Sequence, residues 1–267
     1  MLFSWVDRWY GEGEACETAL PETERTSAQT DCRADHGQLF PYRIGEKLPT
    51  MHSEPPSNSA PFRVLNFCHT MASANKSNGY EDVASVFITG RGRNSSGVGA
   101  SVVAGWSQTL PGGGTVLDLG CGTGVPISQV LIEHGFKVYG VDASPTIVAA
   151  FRARFPGVPV ACAAAEDSDF FARTFDGVVA WGLFFLLDAE VQRRLIKKIA
   201  GVLQSGGRLL FTAPNESGSF PPDVMTGRPQ FSLGYEEYRK ALEAEGVSLV
   251  GTHRDEGENH YYFAQKM

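Results

Sequence analysis

The sequence predicts an α/β fold built on a doubly wound, mostly parallel sheet. From about residue 80 onward, short apolar segments rich in β-branched residues alternate with amphipathic segments, which is typical of a parallel sheet covered by helices on both faces. The first apolar segment runs directly into a glycine-rich turn. The last two are separated only by the residues DEGEN, a connection that allows an antiparallel hairpin but is too short for a helical crossover.

Seven segments have the composition of strands. They are TVLDLG (115–120), KVYGVDA (137–143), VPVACA (158–163), DGVVAW (176–181), RLLFTA (208–213), VSLVGTH (247–253) and HYYFAQK (260–266). Helices are expected near 125–135, 145–155, 189–203 and 233–245, and a further one within 79–97 that ends in Gly90, Arg91, Gly92 and Arg93.

The helix expected at 189–203 shows the clearest amphipathic pattern. Its apolar stripe consists of Leu195, Ile199, Val202 and Leu203, and its charged cluster consists of Arg193, Arg194, Lys197 and Lys198. Because the charged cluster lies largely off the stripe, it is interpreted as a solvated face. Gly206 and Gly207 are expected to end this helix and turn into the next strand.

The chain of 267 residues is long enough for one sizeable core, but its first quarter differs from the rest. Residues 1 to about 70 are polar and proline-containing, and they show no sustained helix or strand periodicity. We therefore expect residues 1–70 to be an N-terminal extension that is mostly disordered, followed by a folded domain at 71–267.

Charge and cysteine content limit the partners and the compartment. The formal net charge of -7 repels a phosphate backbone, so a nucleic-acid partner is not expected. The longest apolar run, 178–187, is too short to cross a bilayer, and no membrane partner is expected. The five cysteines show no C-x-x-C spacing, which indicates neither a disulfide framework nor a zinc site. We expect a cytoplasmic protein without a metal.

The stretch VLDLGCGTGVP (116–126) is the most informative part of the chain. A buried-type strand is followed by Gly120, Gly122 and Gly124 and then by a helix. Glycines at such a turn let the backbone approach a ligand and expose N–H groups at the helix N-terminus, although a tight turn alone would also use them. The dinucleotide fingerprint G-x-G-x-x-G requires glycine or alanine where this chain has Val125.

Two carboxylates refine the prediction of the ligand. Asp118 precedes the first glycine by two residues, where it would repel a pyrophosphate and attract a cationic ammonium or sulfonium. A helix-capping role for Asp118 is the alternative. Asp142 ends the second strand, where a doubly wound fold presents a carboxylate to a ribose diol. The pattern favours a nucleoside with a cationic tail.

With VLDLGCGTG followed by VYGVDAS, the region from about 80 to 267 resembles the class I S-adenosylmethionine-dependent methyltransferases. The resemblance implies a seven-stranded sheet whose last strand is antiparallel and inserted near the edge, with S-adenosyl-L-methionine as cofactor. It also implies that Gly120, Gly122 and Gly124 line the methionine moiety. Asp118 would then lie near the amino group of the cofactor, and Asp142 would bind the ribose hydroxyls.

Further positions follow from the same resemblance. In ACAAAEDSDF (161–170), Ala165 and Glu166 match the positions that edge the adenine, with Glu166 or Asp167 as acceptor for its amine; Ala164 stands where many relatives carry aspartate, and Asp167 could equally belong to an exposed turn. Trp181 would approach the sulfonium methyl or serve only as a core residue. In 79–97, Arg91 and Tyr80 are candidates to meet the cofactor carboxylate, with a solvated Arg91 as the alternative.

The acceptor is expected at the rim formed by the carboxyl ends of the parallel strands. The long segment 214–232 is interpreted as a lid or pocket wall, and the hairpin DEGENHYY (255–262) should bring Glu256, Glu258, Asn259 and His260 to the same rim. His260 is the candidate base or acceptor contact, with a structural histidine as the alternative. Trp181 and the apolar residues after it predict an apolar pocket for a small molecule.

The predicted function is transfer of a methyl group to a small-molecule acceptor by in-line displacement. Positioning can supply most of the acceleration of such a reaction, so no universal catalytic residue is required. A base is needed only where the acceptor must lose a proton. Two alternatives stay open: a non-catalytic scaffold module that binds the adenosyl cofactor, and a nicotinamide-dependent reductase, which Val125 and Asp118 disfavour.

Overall fold

A computed structural model describes residues 76–90 and 97–267, so the predicted extension 1–70 lies outside the described residues. The helices are α1 (Ala84–Thr89), α2 (Ala100–Ser107), α3 (Ile127–Glu133), α4 (Pro145–Arg154), α5 (Ala189–Val202) and α6 (Tyr235–Ala244). The strands are β1 (Thr115–Leu119), β2 (Lys137–Asp142), β3 (Val160–Cys162), β4 (Phe175–Ala180), β5 (Leu203–Thr212), β6 (Gly218–Phe220), β7 (Gln230–Ser232), β8 (Val247–Arg254) and β9 (His260–Lys266).

Seven strands form the main sheet in the order β3-β2-β1-β4-β5-β9-β8. The pairs β3–β2, β2–β1, β1–β4 and β4–β5 are parallel, whereas β9 runs antiparallel to both β5 and β8. The order reverses beside β1, where a doubly wound sheet opens a crevice for ligands. This confirms the predicted doubly wound, mostly parallel seven-stranded sheet with its last strand antiparallel and inserted between β5 and β8.

Hydrophobic side chains cover both faces of the sheet. Because successive residues of a strand point to opposite faces, Val116 packs toward α2 and α3 while Leu117 packs toward α5 and α6. On α5, Leu195 and Ile199 are buried as the amphipathic pattern predicts. None of the helices that the structure describes is both long and apolar enough to cross a membrane.

Three local features differ from the sequence-based expectation. Helix α2 lies in a segment that was not predicted to be helical. Strand β5 begins at Leu203, directly after α5, so Gly206 and Gly207 lie inside the strand and do not end the helix. The segment 214–232 contains a small antiparallel hairpin, formed by β6 and β7, that was not predicted.

Candidate active site

A cavity of about 300 Å³ opens where the carboxyl ends of the central strands meet. Its wall comes from the loops that follow β1, β2, β3 and β4, and from the segment 76–87 that crosses above them. Its volume lies at the lower end of the range found for small-molecule sites. The ligand-binding edge predicted from the sequence is therefore the edge that carries the cavity.

The glycine-rich loop contributes Gly120 and Gly122 to the cavity wall. Both have positive φ angles, of 70° and 55°, which glycine adopts without steric cost. The N–H of Gly120 donates to the Val141 carbonyl at 2.8 Å, so the loop is fixed to the end of β2. This placement agrees with a loop whose backbone can approach a ligand.

Gly124 does not line the cavity, which corrects the expectation for the third glycine of the loop. It packs against α4 and the residue that follows it: a Cβ atom at this position would lie 2.4 Å from Cε2 of Phe155 and 2.8 Å from Cε2 of Phe151. Its φ of +83° is a second reason for glycine. The third glycine therefore serves loop and helix packing.

Asp118 lies on the floor of the cavity and is almost fully buried, with 1% of its surface exposed. Ser128 on α3 donates its hydroxyl to Oδ2 of Asp118 at 2.6 Å. Burial raises the pKa of Asp118 to about 7; the hydrogen bond from Ser128 opposes this rise and the charge of Asp142 adds to it. A cationic group in the cavity would stabilise the ionised form of this carboxylate.

Asp142, at the end of β2, also lines the cavity. Its Oδ2 accepts from the Gly122 N–H at 2.9 Å, and its Oδ1 accepts from the Ser144 N–H at 2.9 Å. Burial raises the pKa of Asp142, against the hydrogen bonds from the backbone of Ser144, Gly122 and Ala143. An ionised carboxylate accepts about four hydrogen bonds, so capacity is left for a hydroxyl group of a ligand.

The turn after β3 supplies Ala164, Ala165 and Glu166 to the cavity wall. Of the two acids in this turn, Glu166 lines the cavity, whereas Asp167 is not part of the wall and has 55% of its side chain exposed. Lys76 lies 3.5 Å from Glu166 and 2.7 Å from Asp167. Of the two predicted adenine acceptors, the structure therefore brings Glu166 to the cavity.

Lys198 holds this turn from behind, which corrects its assignment to the solvated face of α5. Its Nζ donates to the carbonyl oxygens of Ala165 at 3.3 Å and Glu166 at 2.9 Å, and it lies 4.5 Å from the centre of the Phe170 ring. Burial lowers the pKa of Lys198. This role has no sequence signal, because the lysine stands among the exposed basic residues Arg193, Arg194 and Lys197.

The segment after β4 forms the apolar side of the cavity. Trp181, Leu183, Leu186 and Leu187 line it, and the N–H of Gly182 donates to Oγ1 of Thr212 at 2.8 Å. The indole N–H of Trp181 donates to the hydroxyl of Tyr261 at 3.0 Å. The predicted apolar wall is therefore present, and Trp181 belongs to it.

The segment 76–87 closes the cavity above the glycine-rich loop. Tyr80 lines the cavity and donates its hydroxyl to Asp223 at 3.2 Å, while the Phe87 ring lies against Gly122, where a Cβ would come within 3.2 Å of it. Nδ2 of Asn78 is buried and has no hydrogen-bond partner among the described residues. Arg91, the other candidate in this region, lies outside the described residues.

The carboxylate of Glu81 attaches this segment to the start of α4. It accepts hydrogen bonds from the Ser144 hydroxyl, from the Thr146 N–H at 3.1 Å and from the Thr146 hydroxyl at 2.6 Å. These hydrogen bonds lower the pKa of Glu81. Sequence reasoning missed Lys76, Asn78 and Glu81 because residues 76–82 are mostly polar and show no periodicity.

His260 does not line the cavity, and neither do Glu256, Glu258 or Asn259. The hairpin turn lies at the predicted edge, but the ring of His260 packs against that of Tyr262 at a centroid distance of 4.9 Å, and its Nε2 is buried without a partner in the described chain. Burial lowers the pKa of His260. A base acting inside the cavity is thus not a role that its position supports.

The segment 214–232 likewise contributes no residue to the cavity wall. It supports the covering segment instead, through Asp223 and through Thr226, whose Cβ lies 3.1 Å from a Cβ placed on Gly79. Within residues 76–90 and 97–267, no group of three or more His, Cys, Asp or Glu side chains could hold a metal ion.

Comparisons with known proteins agree with this geometry. A family model described as a methyltransferase domain matches residues 116–207, which hold the glycine-rich loop, Asp142 and Trp181. Over 100 residues the chain is 31% identical to the O-methyltransferase resE of Aspergillus sclerotiorum. The match covers 35% of this chain and 37% of that enzyme, so the chain spans little more than a third of this curated relative.

Solved structures share the fold. An amino pentose methyltransferase from Micromonospora echinaspora is similar with a TM-score of 0.54 and 20% identity, over 69% of this chain and 97% of that chain. A 1,6-didemethyltoxoflavin-N1-methyltransferase from Burkholderia thailandensis is similar with a TM-score of 0.55 and 20% identity, over 70% of this chain and 86% of that chain. Residues 116–207 thus match a methyltransferase domain, and in its sheet order and glycine-rich loop the chain is similar to S-adenosylmethionine-dependent methyltransferases.

Proposed function

We propose that the protein binds S-adenosyl-L-methionine in the cavity and transfers its methyl group to a small-molecule acceptor. The observation that carries the proposal is the position of Asp142: its carboxylate is fixed by the glycine-rich loop, faces the cavity and retains capacity to accept hydrogen bonds. Such a carboxylate at the end of the second strand suits a ribose diol.

The remaining polar groups of the cavity fit the other parts of this cofactor. The buried carboxylate of Asp118 suits its ammonium and sulfonium charges. Nδ2 of Asn78 is a buried donor without a partner in the described chain, which suits a carboxylate or a ring nitrogen. Ala164 and Ala165 leave room beside the backbone that Lys198 holds, and Glu166 can accept from an exocyclic amine.

The cofactor supplies, when bound, a methyl group on a positively charged sulfur that is open to displacement by a nucleophile. The residues of the chain then act by binding and orientation, which can account for most of the acceleration of an in-line displacement. Asp142 and the glycine-rich loop orient the nucleoside. Trp181 and Leu183 exclude water from the apolar side of the cavity.

A small acceptor is supported by the size and the composition of the site. The cavity of about 300 Å³ has little room beside the cofactor for a polymer, and the net charge of -7 opposes binding of nucleic acid. The two similar enzymes are an amino pentose methyltransferase and a 1,6-didemethyltoxoflavin-N1-methyltransferase, and their small acceptors support a small-molecule acceptor here.

The domain division and the compartment belong to the same proposal. We infer that residues 71–267 form the methyltransferase domain and that residues 1–70 precede it as an extension. Limited proteolysis of the full chain should then leave a stable fragment that begins near residue 71. Cys121 and Cys162 are free thiols, which supports a reducing compartment such as the cytoplasm.

The test is transfer of a radioactive methyl group. The full chain is incubated with methyl-labelled S-adenosylmethionine and a panel of small hydroxyl- and amine-bearing acceptors, and the label in the extracted products is counted. Asp142→Asn should lower the transfer because the nucleoside loses its charged partner. The control is Asp188→Asn, an exposed change whose side chain makes no capping hydrogen bond. Equal transfer by both variants would contradict the assignment of Asp142.

A further inference from the structure

The Trp181 indole is held on two sides by groups outside the cavity. It directly follows β4, and its N–H donates to the Tyr261 hydroxyl at 3.0 Å. On another side lies the backbone of Gly99, where a Cβ would come within 2.7 Å of Nε1. Any larger residue at position 99 would displace the ring. The hydrogen bond to Tyr261 and the close contact with Gly99 therefore favour one orientation of this indole.

Tyr261 connects the indole to the hairpin between β8 and β9. The tyrosine is fully buried, and its hydroxyl donates to Oδ2 of Asp255 at 2.6 Å. Asp255 in turn accepts at Oδ1 from the Asn259 N–H at 2.9 Å, which closes the hairpin turn. The carboxylate can only accept and the indole N–H can only donate, so the roles at the Tyr261 hydroxyl are fixed.

The protonation state of Tyr261 is fixed as well. Burial raises the pKa of the Tyr261 phenol, and the hydrogen bond to the Asp255 carboxylate raises it further. The phenol therefore keeps its proton for Asp255 and its lone pair for Trp181 throughout the neutral range. A hydrogen bond to a charged group is stronger than one between neutral groups, so the tyrosine is a rigid link.

The segment after β4 that carries the indole contributes only apolar residues to the cavity wall. Val98, Leu183, Leu186 and Leu187 line the same cavity as Trp181. The charged side chains of the lining stand on other elements: Lys76 on the covering segment, and Asp118, Asp142 and Glu166 at the ends of β1, β2 and β3. A charged or highly hydroxylated acceptor beside Trp181 would lose its hydration without gaining partners, which is costly. A flat apolar ring would stack on the indole.

We propose that Tyr261 is a positioning residue that holds the Trp181 indole as one flat wall of the acceptor chamber, and that the chamber takes a neutral aromatic ring. The proposal rests on the proposed function, because it assigns the part of the cavity that the adenosyl cofactor leaves free. It adds a class of acceptor. It also implies that the β8–β9 hairpin, through Tyr261, influences which acceptors bind.

The test uses the full chain, 1-naphthol as the probe and saturating S-adenosylhomocysteine. The variants are Tyr261→Phe, Trp181→Leu and the matched control Tyr262→Phe. Tyr262 is the next residue of β9, is equally buried, and donates its hydroxyl to the Pro214 carbonyl at 3.3 Å, away from Trp181. Calorimetry measures the affinities for 1-naphthol and, separately, for S-adenosylhomocysteine.

Tyr261→Phe should weaken binding of 1-naphthol by about three- to tenfold, the effect of one lost hydrogen bond, and change the affinity for S-adenosylhomocysteine by less than about twofold. It should also reduce the near-ultraviolet circular dichroism of Trp181, obtained as the difference between the native chain and Trp181→Leu at wavelengths that only tryptophan absorbs. Tyr262→Phe should alter neither. Trp181→Leu should lose more affinity for 1-naphthol than for S-adenosylhomocysteine.

Three results would overturn the proposal. If Tyr261→Phe and Tyr262→Phe have the same affinity for 1-naphthol and the same tryptophan signal, Tyr261 does not position Trp181. If the native chain binds S-adenosylhomocysteine but not 1-naphthol, or binds glucosamine more tightly than 1-naphthol, the proposed class of acceptor is wrong. The proposed function is then unaffected. If the native chain does not bind S-adenosylhomocysteine at all, the proposed function itself fails.

Discussion

The buried carboxylate of Asp118 should make the stability of the ligand-free protein depend on pH. Burial raises its pKa from 3.8 to about 7, so the native state holds a proton that the unfolded state releases at a lower pH. Stability must then fall as the pH rises from about 4 to about 7, because the unfolded state binds fewer protons over that interval. The rise in pKa corresponds to about 4 kcal/mol.

Asp118→Asn removes this dependence and retains an oxygen that can accept from Ser128. At about pH 8 the variant should be more stable than the native chain by about 4 kcal/mol, the free energy of ionising the buried group. Between about pH 5 and about pH 8 the difference in stability should grow by about 2.5 kcal/mol.

The assay is urea unfolding of both proteins without ligand at several pH values. The exposed change Asp188→Asn serves as the control for the substitution. Parallel stability curves of the native chain and Asp118→Asn would refute the reasoning, because they would mean that Asp118 titrates alike in the folded and unfolded states. If the expected slope is found, the free protein is strained at the position where the proposed cofactor brings its positive charge.

Two further predictions concern packing and the wall of the cavity. Gly124→Ala should lower the free energy of unfolding by about 2–4 kcal/mol, because its Cβ would lie 2.4 Å from Phe155. Gly157→Ala, with a similar positive φ but nothing within 4 Å, should cost only about 1–2 kcal/mol; equal losses in urea unfolding would contradict the packing argument. Lys198→Met should weaken binding of S-adenosylhomocysteine about three- to tenfold through two lost hydrogen bonds to the turn after β3. The control Lys197→Met, at an exposed neighbouring lysine, should bind normally, and calorimetry that finds both variants alike would reject the role of Lys198.

The sequence predicted the sheet well because its signals are local. Most strands of the main sheet contain a short apolar run next to turn residues, and the short DEGEN connection indicated the hairpin of β8 and β9. Helix α2 was missed because its sequence, ASVVAGWS, contains β-branched residues, a glycine and no charge. Such a segment forms a helix through tertiary packing, here of Val103 and Trp106 against the sheet.

The site was predicted in part, and the misses share a physical cause. Asp118, Gly120, Gly122, Asp142, Glu166 and Trp181 all reached the cavity, because strand ends and glycine turns fix them locally. Gly124 and His260 were misplaced, since the direction of a side chain depends on what packs around it. Contacts between distant segments, such as Trp181 with Tyr261 or Glu81 with α4, leave no pattern in the sequence.

The central claim is that the cavity binds an adenosyl cofactor whose ribose meets Asp142. The most direct measurement is a calorimetric titration of the full chain with S-adenosylmethionine, S-adenosylhomocysteine and the nicotinamide dinucleotides side by side. We predict micromolar binding of the two adenosyl compounds only, weakened by about 1–3 kcal/mol in Asp142→Asn through the lost charge-assisted hydrogen bonds. Binding of a dinucleotide alone, or an unchanged affinity of Asp142→Asn for both adenosyl compounds, would contradict the account.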